Sequence, residues 1–186
     1  DLAGERAVFD PNAADAAGGA SIVWFQPSFD GRLVAVCVAH GGAEVGDVFV
    51  YDAATATQVG ETIPRVNTGT AGGDLAWAPD GSGFYYTRHP RDGERPAEDM
   101  NFYQQVYFHK LGTPTADDRY ELGKDSPRIA ETELKVDERT GRVLATIQNG
   151  DGGEFAHYLR FPSPKHGWWQ FSKFDDKVIQ AEFGPN

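Results

Sequence analysis

Apolar residues in this chain fall into short runs broken by Asp/Gly-type turns, and the same arrangement returns three times. The strings SIVWFQPSFDGRLVAVCVAH (residues 21–40), GDLAWAPDGSGFYYTRHP (residues 73–90) and AETELKVDERTGRVLATIQN (residues 130–149) each hold an apolar-rich strand, a turn and a second strand. Asp-Gly between two alternating or β-branched runs predicts a hairpin, because glycine accepts positive φ without a Cβ clash. Two further strands are expected after each hairpin: DVFVYD (47–52) and QVGETI (58–63), then FYQQVYFHKL (102–111) and DRYEL (118–122), then EFAHYLRF (154–161) and HGWWQFS (166–172). The final segment KVIQAEFGPN (177–186) reads as one more strand and the opening of a turn. The pattern therefore predicts three four-stranded units and the first strand of a fourth, in a chain expected to be a fragment of a longer repeat array.

A four-stranded antiparallel unit recurring every ~40–50 residues or slightly more is the signature of a β-propeller blade, whose sheet is covered on both faces by its neighbours. Cover on both faces would explain why the first strand carries Ile22, Val23, Trp24 and Phe25 in succession instead of alternating with polar residues. No stretch has helical periodicity. The alanine-rich run 13–20 is interrupted by Gly18 and Gly19, which predicts a turn or a short helical turn. The expected fold is all-β, an incomplete propeller with blades at about 20–64, 72–123 and 129–172 and the start of a fourth at about 177–186.

Composition adds little to fold but narrows function. At 186 residues, 40% hydrophobic and 12% aromatic, the chain can bury a substantial core. A formal charge of −11 argues against nucleic acid and against anionic membranes, both of which call for clustered Lys and Arg. Acidic pairs such as Asp117/Asp118 and Asp175/Asp176 read as solvated loop carboxylates, and the overall acidity as a solubility device. The single cysteine, Cys37, lies between Val36 and Val38 and reads as a small buried hydrophobe. There is no signal-peptide pattern, no apolar run of membrane-spanning length and no N-glycosylation sequon.

Candidate chemistry is sparse. No G-x-S-x-G elbow is present among the serines at 21, 28, 82, 126, 163 and 172. His40, His89, His109, His157 and His166 are spread one per hairpin or loop, without zinc-site spacing. The loop NGDGGE (149–154) lacks the spaced ligand set of a calcium loop and reads as a turn. The glycine-rich NTGTAGGD (67–74) lacks a following Lys-Ser/Thr and leads into a strand, so it reads as a connector between blades. No catalytic, cofactor-binding or metal-ligating residue is assigned, and no cofactor is expected. The longest polar insertion, HPRDGERPAEDMNF (89–102), joins the middle two strands of the second unit. Its charge and proline content rule out a core strand, so it is expected to stand off the sheet as a rim loop. It is either a contact surface for a ligand or docked domain or simply a long exposed hairpin, and Arg88, Arg91 and Arg95 are expected to pair with carboxylates in both cases.

Taken together and in order, GERAVFDPN (4–12), LAWAPDGSGFYYTRHP (75–90) and QQVYFHKLGT (104–113) resemble the propeller of prolyl oligopeptidase-type serine peptidases. Asp10-Pro11-Asn12 resembles the point where that family's chain enters its first blade, and residues 107–113 its second-blade strand and exit. The resemblance implies a parent enzyme in which a propeller caps an α/β-hydrolase domain bearing a Ser-Asp-His triad and limits substrates to short peptides cut after proline. The residues here match only early blades, so the resemblance implies no catalytic residue in this chain and no peptidase activity for it alone. The implied partners are the hydrolase domain, the remaining blades and a short peptide. The insertion matches a family region that approaches the domain interface. The other reading is a non-catalytic propeller that binds ligands or proteins, since fold does not dictate function. The expected compartment is cytoplasmic, with periplasm and secretion left open. An unclosed set of blades should expose apolar faces, with Trp168, Trp169 and Phe171 as the expected residues, and should self-associate.

Overall fold

The computed structural model describes residues 4–15, 18–163 and 166–184. The chain is all-β, built from three consecutive antiparallel sheets. The first contains β1 (Ala20–Pro27), β2 (Leu33–His40), β3 (Gly46–Asp52) and an outer strand in two pieces, β4 (Thr57–Gln58) and β5 (Ile63–Asn67). The second contains β6 (Leu75–Trp77), β7 (Gly83–Arg88), β8 (Gln105–Lys110) and β9 (Arg119–Leu122). The third contains β10 (Ala130–Asp137), β11 (Arg142–Asn149), β12 (Phe155–Arg160) and β13 (Trp168–Ser172). Each runs strand to strand in chain order, which is the blade topology the turns predict.

Two local expectations change. The outer strand of the first blade, expected over 58–63, breaks after Gln58 and resumes at Ile63. Gly60 takes φ +75° inside the gap and Arg65 takes φ +58° beyond it, so the two pieces pair with different ends of β3. Residues 178–184, within the segment 177–186 expected as a strand and the opening of a turn, form no sheet ladder, although Glu182 and Phe183 share a pocket with Leu134 and Val136 of β10. The turn expected at the chain end falls partly on residues 185 and 186, outside the described residues. The alanine-rich start does hold a helical turn, α1 (Pro11–Ala14), where Asp10 accepts from the Asn12 N–H and Pro11 supplies a helical φ.

Packing between blades supplies the core. Blade one meets blade two through Ala35, Cys37, Val48, Ile63, Trp77 and Phe84, with Phe84 and Tyr86 fully buried. Trp77 and Phe84 meet edge to face at 5.1 Å, and the Trp77 indole donates to the Gln26 carbonyl at 3.0 Å across the seam. Blade two meets blade three through Ala76, Tyr85, Val106, Leu134, Val143 and Ala145. Successive residues of β6 thus serve opposite seams, as the period of two requires. This second seam is also stapled by polar groups. The Asp74 carboxylate accepts from the Leu134 N–H at 2.7 Å, and the buried Glu121 carboxylate accepts from the Trp168 indole and the Arg160 guanidinium, each at 2.9 Å. Trp168, expected to be exposed, is therefore packed at this seam, whereas Trp169 is 57% exposed on the far face.

Candidate functional site

The residues singled out for chemistry are dispersed. Cys37 is fully buried, and burial with the nearby Asp47 charge pushes its thiol up to about 12, the environment of an inert core cysteine. His89, His109 and His157 are buried in three separate places. His109 Nδ1 lies 2.7 Å from Asp118, which also accepts from the Tyr86 hydroxyl at 2.6 Å and faces Arg91 at 3.9 Å. Both members of the His109–Asp118 pair are almost fully enclosed, so the cluster ties β7, β8 and the following loop together. The loop at 149–154 is a 3₁₀ turn with Gly153 at φ +71°, and residues 67–73 form the connector between blades one and two, closed by paired Thr68–Gly72 backbone bonds. Among the described residues no group of three or more His, Cys, Asp or Glu side chains is disposed to hold a metal ion.

The insertion between β7 and β8 builds a concave polar surface. Far from standing off the sheet, it folds back onto the rim and is fastened to both neighbouring connectors. Arg65, in the outer strand of blade one, donates to the Pro90 carbonyl at 2.7 Å, the Met100 carbonyl at 2.6 Å and the Asn101 side chain at 2.9 Å. Arg128, between blades two and three, donates to Asp99 at 2.8 Å and to the Glu98 carbonyl at 3.0 Å, and its guanidinium lies 3.5 Å over the Phe102 ring. The partly buried bonds of charged Arg65 to loop carbonyls are worth more than the exposed bonds of Arg128. Gln104, buried at the end of the insertion, donates to the Ala71 and Gly72 carbonyls and accepts from the Thr132 N–H, joining the connector after blade one to β10 of blade three.

Beneath this strap lies a cavity of ≈230 Å³, lined by Arg88, His89, Glu94, Arg95, Tyr103 and Tyr107 among others. Arg88 closes its floor: Nη2 donates to both Glu94 oxygens at 3.0 Å and to the Tyr107 hydroxyl at 2.8 Å, and the guanidinium lies 4.1 Å over the Tyr107 ring. Arg95 stacks 3.6 Å over Tyr103, which holds φ +56° and donates its N–H to the Arg128 carbonyl. His89 Nε2 lies 3.0 Å from the Thr68 hydroxyl, and burial pushes its imidazole down to about 4, keeping it neutral. Of the three arginines expected to meet carboxylates, Arg88 meets Glu94, Arg91 meets Asp118 at 3.9 Å, and Arg95 stacks on an aromatic ring. The anchors Arg65, Arg128 and Gln104 escaped the sequence reading. Nothing local marks them, because their partners lie up to 36 residues away.

Three open-ended sheets joined side by side, with structured loops gathered at one rim, define a partial β-propeller. The family model for the prolyl oligopeptidase N-terminal β-propeller domain matches residues 1–182, and the chain belongs to that family. It is 33% identical over 158 residues to a prolyl endopeptidase of Elizabethkingia miricola and 30% identical over 158 residues to that of Elizabethkingia meningoseptica, covering 83% of this chain in each case. The chain spans about 22% of the length of these relatives. A solved prolyl endopeptidase structure superimposes with a TM-score of 0.77 at 21% identity, over 89% of this chain and 24% of that one. Prolyl oligopeptidase B of Galerina marginata superimposes with a TM-score of 0.71 at 17% identity, over 88% of this chain and 24% of that one. At these identities the superpositions bear on the fold alone.

Proposed function

We propose that this chain is the access-controlling, non-catalytic portion of a serine peptidase that hydrolyses short peptides after proline. The observation that carries the reading is the match of residues 1–182 to the N-terminal β-propeller domain of prolyl oligopeptidase. In such an enzyme the triad supplies acyl transfer, and the propeller acts on which substrates arrive. The partners are a catalytic α/β-hydrolase domain, further blades against the open faces, and a short peptide. Where those faces lack further blades, two copies of the chain pair through them.

The test is to express the chain together with the rest of its reading frame and to assay a chromogenic peptide carrying proline before the scissile bond. Cleavage after proline is expected from the longer polypeptide and none from this chain alone. Turnover by the purified chain alone, or a reading frame that continues only into further blades, would overturn the assignment.

A further inference from the structure

The cavity under the insertion holds an arginine whose hydrogen bonding is half complete. A guanidinium presents Nε–H and the adjacent Nη2–H along one edge, and a carboxylate fills that edge with two parallel bonds. In Arg88 the edge is unevenly filled: both Glu94 oxygens crowd onto Nη2, and the buried Nε has no acceptor. Arginine keeps its proton, so the missing group can only be an acceptor. Glu94 is held off Nε by its own loop, because its Oε2 also accepts the Arg91 N–H at 2.8 Å. The Glu94 side chain is 43% exposed, whereas that of Arg88 is 10% exposed, so the carboxylate is the member of the pair that can swing into solvent.

The walls indicate what would replace it. Arg88 and Arg95 against the single Glu94 leave the cavity with one excess positive charge, in a chain of formal charge −11. Pro90, Tyr103 and Tyr107 offer apolar and aromatic surface beside that charge. At ≈230 Å³ the space lies below the roughly 300–1,000 Å³ of drug-sized sites and suits a ligand of one or two residues.

We propose that this cavity is a carboxylate site for the C-terminal end of a short peptide, in which the incoming carboxylate takes the full Nε/Nη2 edge of Arg88 and displaces Glu94. Glu94 is then an internal competitor that keeps the arginine paired when no ligand is present. The identity of the ligand as a peptide rests on the peptidase reading above; the carboxylate preference does not.

The experiment titrates the chain with N-acetyl-Gly-Pro bearing a free carboxylate, with its amide, and with acetate, following amide resonances of residues 88–107. The free acid is expected to bind at least about tenfold more tightly than the amide, a measurable separation in Kd. Glu94→Gln, which removes the competitor from an exposed position, should tighten binding of the acid about tenfold, and Arg88→Lys, which keeps the charge but loses the planar edge, should weaken it by a similar factor. Equal binding of acid and amide, or no change in Glu94→Gln, overturns the proposal. Acetate binding as tightly as the peptide acid overturns its peptide part. Since the measurement needs no hydrolase, its failure leaves the cleavage assay standing, and failure of that assay leaves the carboxylate preference standing.

Discussion

The first strands of blades one and two have similar residues and opposite fates. β6 carries Leu75, Ala76 and Trp77, at 2%, 7% and 2% exposure, whereas β1 carries Ile22, Val23 and Phe25 at 42%, 43% and 65%. The difference lies in the neighbours. Leu75 and Trp77 pack into the seam with blade one and Ala76 into the seam with blade three, while β1 has a packed seam on one side alone, which takes Trp24. A bulge between Ile22 and Trp24 further offsets its alternation. Large apolar residues at successive positions mark a strand that needs two partners; they do not supply them. Blade three shows the same split, with Trp168 in a seam and Trp169 on its far face.

The most direct way to break this comparison is to truncate one aromatic on each side of it. Phe84→Ala, in the seam between blades one and two, should cost about 3–5 kcal/mol, and Phe25→Ala on the open face less than about 0.5 kcal/mol, measured from urea unfolding. Similar costs would mean that the faces of blade one are covered alike.

Asp74 sharpens the contrast at the other seam. It lies just before β6, half-buried, and desolvation pushes its carboxyl up to about 6 despite the Leu75 and Leu134 N–H bonds that oppose the shift. The folded value stands above the unfolded one, so the folded chain holds this proton more tightly. Its contribution is therefore full at low pH and is lost between about pH 4 and pH 6, on the order of 3 kcal/mol. Asp74→Asn should abolish that slope, read as the difference between mutant and parent unfolding curves across this range. The turn carboxylates Asp30, Asp52 and Asp137 have lowered values and act in the opposite direction, so the difference curve is the quantity to follow.

The smallest effect separates the two adjacent tryptophans. Trp168→Phe removes a donor to the buried Glu121 carboxylate, which keeps Arg160, and should cost about 1 kcal/mol. Trp169→Ser should leave stability within about 0.5 kcal/mol yet lower self-association in sedimentation at high concentration. Loss of stability in both would show that the far face of blade three is covered.

The legible part of the sequence was the repeat. Asp-Gly turns flanked by apolar runs act within a few residues, so three sheets, their strand order and the connector at 67–74 could be read directly. The site was largely illegible. Arg88 was flagged for carboxylate pairing and does meet Glu94 six residues on, but the strap over it requires Arg65 from blade one and Arg128 from the connector between blades two and three. The strand expected within 177–186 failed for a related reason, since residues 178–184 find no hydrogen-bonded ladder partner to satisfy their strand propensity.

By itself, then, the sequence determined the all-β class, the blade unit and the position of the rim insertion, which rest on local turn chemistry and period-two patterning, and the family, which rests on the resemblance of whole strings. Tertiary structure alone decided which apolar faces are covered, that the insertion is strapped down at both ends, and that Arg88 is left with an unfilled Nε. Those outcomes depend on pairings between residues far apart in the chain, and short-range pattern carries no record of them.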